Sequence, residues 1–446
     1  MTVSRTVCLG FLAVIFVGAL LLMLPISTAN GSGSDFLTGL FMSTSAVCVT
    51  GLAVVDVGKY YSFWGQFFLA LLAQIGGLGY MTATTFLLLL LGRKFGLKDK
   101  IAIQQSLDQP GLAGAADLIR SIIATTAIFE LTGAFLLMLV FVPELGWQNG
   151  IWFAIFHSVS AFNNAGFGLK TDNLMSYVSS PIVTFTIGFL IIFGGIGYQV
   201  IMEMYLWVKE KVRRDRHRSW YTLQFKIAVS TTVILLAFGT IAFFLTELNN
   251  PNTLAPLSLG DKWLAAWFQS VTPRTAGFNT IDIGKMTETG LFITIALMFI
   301  GASPGGTGGG IKTTTFRILY SCTKAALLAE EEVVSFKRQI SIPLVLKAVG
   351  VFFGSLLVVI ISTIIIELNE PETKFQFLQI LFEVVSAFGT VGLSTGITAS
   401  VSAVSKTVLI ATMYIGRVGV LLLMSSLIGN PNPRAINYPE ENLLVG

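Results

Sequence analysis

The sequence predicts an all-α polytopic membrane protein in which one unit of helix, pore half-helix, filter loop and helix is repeated four times around a central pore. Of the 446 residues, 54% are hydrophobic and 12% are charged, whereas soluble globular domains carry about 25% charged residues. Long apolar runs recur along the chain, and four shorter apolar segments lie between them, each followed by a glycine-containing loop. A chain of this length and composition is solvated by lipid, which excludes an ordinary soluble enzyme.

Eight apolar runs are candidates for membrane-spanning helices, since about 20 apolar residues cross a bilayer. The first run ends at Leu24-Pro25 without a small-residue cleavage site, so we interpret it as a helix rather than a signal peptide. The sixth run is short and is expected to end inside the membrane. The runs cover residues 7–24, 63–91, 118–142, 182–208, 222–247, 288–300, 343–367 and 404–428.

Four apolar segments are too short to span and are predicted to be re-entrant half-helices. They cover residues 36–48, 150–162, 260–272 and 374–388, and they begin near caps or turns at Ser34-Asp35, Asn149-Gly150, Gly260-Asp261 and Glu372-Thr373. In every copy a Phe is followed four residues later by Ser or Thr and then by a loop glycine. A second glycine follows the loop glycine after 25, 28, 24 and 24 residues, at Gly76, Gly194, Gly301 and Gly416. This register indicates an internal fourfold repeat.

The repeat divides the chain into four units and a tail. Unit 1 covers residues 1–92, and unit 2 covers 93–208 with a cytoplasmic linker at 93–116. Unit 3 covers 209–318, with a basic cytoplasmic loop at 209–221 and a glycine-rich gating loop at 301–313. Unit 4 covers 319–430, and the tail covers 431–446.

The distribution of basic residues predicts the orientation in the membrane. The termini and the segments between units hold 20 Lys or Arg, whereas the segments that contain the half-helices hold 7. The positive-inside rule therefore places both termini in the cytoplasm and lets the half-helices enter from outside. The net charge of only +4 gives no support for nucleic-acid binding.

The loops after the half-helices form the candidate ion-binding site. Non-helical backbone is tolerated at membrane depth only inside protein or beside water, and glycine lets successive carbonyl groups turn toward an ion. The partially negative C-terminal ends of the half-helices favour cations. No loop contains a carboxylate, so we expect a dehydrated monovalent cation. The candidate residues are Cys48, Val49, Thr50, Gly51, Asn163, Asn164, Ala165, Gly166, Thr275, Ala276, Gly277, Gly389, Thr390, Val391 and Gly392.

The four loops, Val49-Thr-Gly-Leu52, Asn163-Asn-Ala-Gly-Phe167, Thr275-Ala-Gly-Phe-Asn279 and Thr390-Val-Gly-Leu393, resemble the filter loops of the Trk/Ktr/HKT superfamily of potassium transporters. The similarity covers nearly the whole chain and is strongest to the membrane subunit (KtrB/KtrD type) of the bacterial Ktr system. It implies potassium uptake across the plasma membrane, stimulated by sodium, by a homodimer embedded in lipid. It also implies a cytoplasmic nucleotide-binding ring of the RCK/KTN type as regulator. Potassium is the implied transported ion, sodium is a second candidate, and no covalently bound cofactor is implied.

A glycine-rich loop follows the short sixth run, and residues 301–310 contain six glycines and Pro304. No helix tolerates this composition, and we expect the loop to cross the pore below the filter, where it resembles the gating loop of Ktr and Trk proteins. Ile311 stands where a phosphate-binding loop needs glycine, and close helix packing is the alternative role for the glycines. The candidate gate residues are Gly301, Ser303, Gly305, Gly306, Thr307, Gly308, Gly309, Gly310, Lys312 and Arg417.

Arg417 lies in the middle of the last apolar run, where a charge costs about 2.5–3.5 kcal/mol. We expect it to face the pore and to hydrogen-bond carbonyl groups, Ser303 or Thr307 of the glycine-rich loop, which would hold the loop closed. An ion pair with Glu130 or Glu203 is the alternative.

Several isolated residues carry weaker expectations. The three cysteines have no paired spacing, so we expect buried thiols rather than disulfides or a zinc site. His157 is expected to be a structural hydrogen-bonding residue rather than a ligand. Arg274 either repels anions or pairs with an outer acidic residue. Six basic residues between Lys209 and Arg218 predict a solvated loop that also suits an acidic partner or anionic lipid.

The sequence therefore predicts a channel-like ion-conducting subunit and no enzyme. A sodium-coupled secondary cation transporter and a mixed potassium/sodium permease are the alternatives. An intramembrane enzyme is disfavoured, because the chain has only two histidines and none of the usual catalytic clusters.

Overall fold

The computed structural model describes residues 3–79, 115–213, 221–371 and 374–428. Within these ranges the protein has sixteen α-helices, three short 3-10 turns (Pro25–Ser27, Met175–Tyr177 and Ile283–Lys285) and one antiparallel hairpin of strands β1 (Val334–Ser335) and β2 (Arg338–Gln339). The helices are α1 (Val3–Met23), α2 (Phe36–Val47), α3 (Val57–Tyr60), α4 (Phe63–Leu78), α5 (Ala115–Leu145), α6 (Trp147–Phe162), α7 (Pro181–Ile196), α8 (Tyr198–Arg213), α9 (Leu223–Glu247), α10 (Leu259–Val271), α11 (Glu288–Phe299), α12 (Thr313–Leu327), α13 (Ile342–Asn369), α14 (Phe377–Gly389), α15 (Ala403–Val418) and α16 (Val420–Ile428).

Four long apolar helices begin the four units and are able to cross a membrane by length and composition. They are α1, α5, α9 and α13. Large apolar side chains on these helices are exposed, among them Phe16, Leu131 and Phe353. Such exposure is expected where lipid is the solvent. The all-α, multi-pass membrane class predicted from the composition is therefore the class of the structure.

The second helices of units 2 and 4 are broken, so the runs predicted at 182–208 and 404–428 are not single continuous helices. The run at 182–208 breaks at Gly197 into α7 and α8, which meet at 104°, and the run at 404–428 breaks at Gly419 into α15 and α16, which meet at 95°. Both glycines have a positive φ, 98° and 87°, which ends a helix at little cost only when the residue is glycine. Helix α4 likewise ends before Gly79, and the rest of the run at 63–91 lies outside the described residues.

Each unit contains a half-helix before its loop: α2, α6, α10 and α14. Asp35 caps α2, as expected, and accepts a hydrogen bond from the Thr38 N–H at 3.0 Å. Helices α6 and α10 start earlier than predicted, at Trp147 and Leu259. Gly146, with a positive φ of 81°, separates α5 from α6 without a longer loop. Ser258 caps the start of α10. Helix α14 starts at Phe377, and the predicted start at Glu372-Thr373 lies outside the described residues.

The second glycine of the repeat is a packing residue in three units. A methyl group on Gly76, Gly194 or Gly416 would lie 2.1, 1.9 or 1.9 Å from a carbonyl oxygen near the C-terminal end of a half-helix, that of Val47, Phe162 or Phe388. Only glycine allows this approach of the second helix to the half-helix. Gly301 of unit 3 instead faces the carbonyl oxygen of Gly309, because the glycine-rich loop follows α11 directly.

The predicted unit boundaries do not coincide with ends of described helices. The boundaries at 208/209 and 318/319 fall inside α8 and α12. Those at 92/93 and 430/431, the linker at 93–116 and the tail at 431–446 lie wholly or mostly outside the described residues. The unit limits therefore remain predictions.

Candidate functional site

The four loops after the half-helices meet in a closed ring. Each loop glycine faces the carbonyl oxygen of the residue that precedes the next unit's glycine, and a methyl group on it would lie only 2.0–2.6 Å from that oxygen. The pairs are Gly51 with Ala165, Gly166 with Ala276, Gly277 with Val391 and Gly392 with Thr50. We call these four glycines the glycine ring. A side chain at any of the four positions would displace backbone of the neighbouring unit.

The backbone of each loop has the same unusual conformation. The ring glycines have positive φ angles between 71° and 92°. The residue two places before each glycine also has a positive φ, although none of these four is glycine: Val49 (57°), Asn164 (59°), Thr275 (66°) and Thr390 (48°). Non-glycine residues adopt this conformation rarely, and such strain is concentrated at functional sites.

The N–H groups of the loops are held by the recurring Ser or Thr of the half-helices, namely Ser45, Ser160, Thr272 and Ser386. In every unit the N–H before the ring glycine donates to the carbonyl oxygen of this residue, at 2.7–3.0 Å. In units 1 and 4 the serine hydroxyl also accepts from the N–H of Gly51 or Gly392, at 3.0 and 3.1 Å. In units 2 and 3 the hydroxyl donates to the carbonyl oxygen of Phe167 or Phe278. The sequence showed this position as a repeat but gave no role for it.

The carbonyl groups of the four residues that precede the ring glycines are the candidate ion ligands. In the part of the chain that the structure describes, no hydrogen bond reaches the carbonyl oxygens of Thr50, Ala165, Ala276 and Val391. All four residues are fully buried, and buried carbonyl groups without a partner are uncommon. The N–H groups are thus turned outward and the carbonyl oxygens face the ring, which suits a dehydrated cation and no anion.

We expect the loss of a ring-supporting hydroxyl to destabilise the loop. Ser386→Ala removes the acceptor of the Gly392 N–H and leaves a buried donor unsatisfied, which costs about 1–3 kcal/mol. Thermal unfolding of the detergent-solubilised protein should show a lower midpoint for this variant. Ser32→Ala, an exposed serine, is the matched control, and equal midpoints for the two variants would contradict the role of Ser386.

Three of the predicted filter residues lie at helix ends rather than in the ring. Cys48 and Asn163 follow the last residues of α2 and α6, and Gly389 is the last residue of α14. The Asn163 amide points away from the ring and donates to Gln74 Oε1 at 2.7 Å and to Glu130 Oε1 at 2.9 Å. Gln74 and Glu130 were not predicted as site residues, and no local pattern marks them, since they lie far from Asn163 in sequence.

A cavity of about 250 Å³ opens from the glycine ring on the side where the half-helices begin. All four ring glycines line it, together with the charged residues Asp56 and Lys170. The Lys170 ammonium group lies 2.8 Å from Glu144 Oε1 and 4.2 Å from the centre of the Tyr177 ring. Partial burial lowers the pKa of Lys170, but hydrogen bonds with Glu144 and Tyr177 raise it, and the net shift is upward. Lys170 is therefore positively charged at neutral pH, and the Glu144 carboxylate beside it offsets this charge.

The glycine-rich loop, residues 301–313, lies against the opposite side of the ring. A methyl group on Gly308 would lie 1.8 Å from Thr275 Oγ1, and one on Gly309 would lie 2.5 Å from Thr390 Oγ1. The Gly309 N–H donates to the Thr390 hydroxyl at 2.9 Å. The loop thus covers the ring residues of units 3 and 4 at contact distance.

Backbone hydrogen bonds attach the glycine-rich loop to neighbouring units. Ser303 and Thr307 N–H groups donate to the carbonyl oxygens of Gly195 and Gly194 in unit 2, at 2.9 and 3.0 Å. Within the loop, the Ser303 and Thr313 hydroxyls lie 2.8 Å apart, and Lys312 Nζ donates to the Gly308 carbonyl oxygen at 2.7 Å. The other candidate gate glycines, Gly301, Gly305, Gly306 and Gly310, also lie in the glycine-rich loop.

Arg417 joins this loop to two other units. Its guanidinium group donates to the carbonyl oxygens of Thr307 and Gly76. Neither Glu130 nor Glu203 is its partner, since Glu130 accepts from Asn163 and Glu203 accepts from Thr222. The Arg417 side chain of α15 therefore attaches the glycine-rich loop of unit 3 to the second helix of unit 1.

The other candidate ligands do not form a metal site. His157 Nδ1 lies 2.8 Å from the Phe153 carbonyl oxygen, which is a structural contact. The three cysteines are free, with Cys8 and Cys48 buried and Cys322 only half-buried. No group of three His, Cys, Asp or Glu side chains suited to a metal occurs among the described residues.

Comparisons with known proteins agree with this architecture. A family model described as "TrkH: Cation transport protein" matches residues 4–432. The chain is 40% identical over 445 residues to the Ktr system potassium uptake protein B of Bacillus subtilis (strain 168), covering 100% of this chain and 97% of that protein. It is 36% identical over 445 residues to the potassium/sodium uptake protein NtpJ of Enterococcus hirae, covering 99% of this chain and 97% of that protein.

Among solved structures, the crystal structure of the potassium transporter TrkH from Vibrio parahaemolyticus matches with a TM-score of 0.72 at 19% sequence identity, covering 95% of this chain and 85% of that chain. At this identity the likeness concerns the fold. The family match over nearly the whole length identifies a membrane ion transporter and not an enzyme. The chain belongs to the TrkH family of cation transport proteins.

Proposed function

We propose that this protein is the ion-conducting subunit of a potassium uptake system and that the glycine ring is its selectivity filter. The observation that carries the proposal is the set of four buried carbonyl oxygens to which no other described residue donates a hydrogen bond. Two relatives support the choice of ion, because their names state potassium uptake and potassium/sodium uptake.

The proposed mechanism is passive conduction through the ring. A potassium ion leaves water in the 250 Å³ cavity and exchanges its hydration shell for backbone carbonyl oxygens. The C-terminal ends of four half-helices add partial negative charge near the ring. No chemical energy is needed, since an assumed membrane potential of about −150 mV supplies ~3.5 kcal/mol per charge, enough for a few-hundredfold accumulation.

In this proposal the glycine-rich loop is the gate. It lies against Thr275 and Thr390 directly next to the ring, where an ion leaving the filter must pass. The attachment through Arg417 holds it there. Conduction requires the loop to move away from the ring.

The test is rubidium uptake by liposomes that contain only this protein. With a potential negative inside, we expect uptake of rubidium that excess external potassium competes away and excess external sodium reduces much less. Equal competition by both ions would favour a mixed potassium/sodium permease. Uptake that strictly requires a sodium gradient would favour a sodium-coupled transporter.

We also propose a cellular location and binding partners for this protein. We place the chain in the plasma membrane with both termini in the cytoplasm, as a homodimer with a cytoplasmic RCK/KTN-type regulatory ring. Co-purification of the full-length chain with such a ring, and accessibility of tags at both termini only after permeabilisation, are the expected results.

A further inference from the structure

Arg274 is a buried cation that the conduction pathway does not use. It immediately precedes the loop of unit 3 and is only 7% exposed. Among the described residues its guanidinium group makes a single hydrogen bond, a long one from Nη2 to the Gly301 carbonyl oxygen at 3.5 Å. Nε and Nη1 have no hydrogen-bond partner in the described chain. The expected pairing with an outer acidic residue is absent among the described residues, and burial this complete gives no surface from which to repel anions.

A buried guanidinium group with two nitrogen atoms that donate to nothing in the described chain is energetically unfavourable. Removing a charge from water is costly unless an opposite charge or several hydrogen bonds compensate it. Arginine carries donors only, so the missing partner must be an acceptor. Nothing in the described chain supplies one to Nε or Nη1.

A second unsatisfied group lies in the same place. Thr232 of α9 is buried, and its hydroxyl has no hydrogen-bond partner. By contrast, the hydroxyls of Thr240 and Thr246 on the same helix donate to carbonyl oxygens one turn earlier, at 2.7 and 3.0 Å. Thr231 next to it is also buried and unsatisfied.

Arg274 and Thr232 line one small internal cavity of about 20 Å³. Thr231 does not line it. The rest of the wall is apolar and includes Ile191, Leu236 and Val271. A single water needs about 10–15 Å³ measured in this way, so the cavity has room for one water or one monatomic ion and for no larger ligand.

We propose that this cavity is an anion site that holds one halide ion, chloride under ordinary conditions, between Arg274 and the Thr232 hydroxyl. Arg274 and the Thr232 side chain line the cavity, and the other side chains of its wall are apolar. A halide accepts from the guanidinium group and the hydroxyl and has no proton to place. A water molecule can donate to the Thr232 hydroxyl oxygen, but it would add no negative charge to offset the cation.

The site has a consequence for the neighbouring ring. Arg274 is bonded to Thr275, which begins the loop of unit 3. An uncompensated positive charge at this point would repel a cation in the ring, whereas a bound halide offsets it. We therefore infer that the halide neutralises the charge of Arg274 next to the glycine ring, so that this charge does not repel a cation in the ring. The halide itself lies outside the conduction pathway.

Bromide is the probe for the direct test, because it scatters anomalously and matches chloride in charge. Crystals of the full-length protein grown in potassium bromide should show one anomalous peak next to Arg274 and Thr232. An empty cavity, or density without an anomalous signal, means a water and overturns the proposal.

Thermal unfolding in detergent gives a second readout that is independent of transport. At constant ionic strength, replacing potassium gluconate by potassium chloride or bromide should raise the midpoint of the wild type by about 2–4 °C. Thr232→Val should lose most of this halide-dependent rise, whereas the matched variant Thr231→Val should retain it. Arg274→Gln should abolish it if the variant folds. A midpoint that does not respond to halide in the wild type, or responds equally in both threonine variants, overturns the proposal even where rubidium uptake is normal.

Discussion

Replacing Gly392 with alanine is expected to reduce rubidium uptake by at least about 100-fold, which corresponds to ~2.7 kcal/mol in the barrier. The new methyl group would lie 2.0 Å from the Thr50 carbonyl oxygen and 3.0 Å from the Gly51 Cα. Both obstacles are backbone atoms of another unit, so no side-chain rotation relieves the clash. A carbonyl group of the proposed filter has to leave its place. Uptake into liposomes at fixed protein content is the measurement.

The chain offers a matched control four residues later. Gly396 has nearly the same backbone conformation, with φ of 94° against 90° for Gly392, but a methyl group on it would meet no atom within 4 Å. Gly396→Ala therefore carries the conformational cost of a positive φ, about 1–2 kcal/mol, without the clash. We expect it to conduct. Equal loss in both variants would mean that backbone strain alone, and not contact between units, explains the glycine.

Replacing Arg417 with glutamine is expected to raise uptake by about tenfold. The guanidinium group donates to Thr307 of the glycine-rich loop and to Gly76 of unit 1, and hydrogen bonds from charged groups contribute about 1.5–3 kcal/mol. If only the closed loop makes these bonds, losing them shifts the population toward the open pore. Initial rates of rubidium uptake measure the effect.

Two further variants separate this explanation from general effects of charge. Arg417→Lys keeps the charge but cannot present the same planar fork, so its rate should lie between those of the wild type and Arg417→Gln. Arg338→Gln makes the same chemical change on the exposed strand β2 and should conduct like the wild type. Unchanged uptake in a folded Arg417→Gln variant would remove Arg417 from the gate.

The site was largely predictable because its signal is repeated. One glycine loop alone predicts little, but four in register, each with a Phe and a Ser or Thr at matching positions, locate the loops without a structure. The breaks at Gly197 and Gly419 were not predictable in the same way. Each glycine stands in an apolar run that continues on both sides, and hydropathy carries no information about φ. At Gly197 the carbonyl oxygen of Pro304 in the glycine-rich loop lies against the break, whereas nothing lies within 4 Å of a methyl group on Gly419.

Contacts between distant segments were also invisible in the sequence. Glu130, Gln74 and Asn163 come together from two units, and nothing in the spacing of these residues predicts their meeting. The vacant donors of Arg274 are a similar case, since an arginine before a loop suggests a surface role. Its burial depends on how α7 and α9 pack around it.

The glycine ring also affects how mutations change the pore during evolution. In a tetramer of identical subunits, every change in a filter residue enters the pore four times at once. Here the four positions before the ring glycines are Thr50, Ala165, Ala276 and Val391, and a mutation at one of them leaves the other three unchanged. A single gene that contains all four quarters can therefore adjust one side of its pore while three sides stay intact. It can also give one quarter, here unit 3, a loop that its three counterparts need not have.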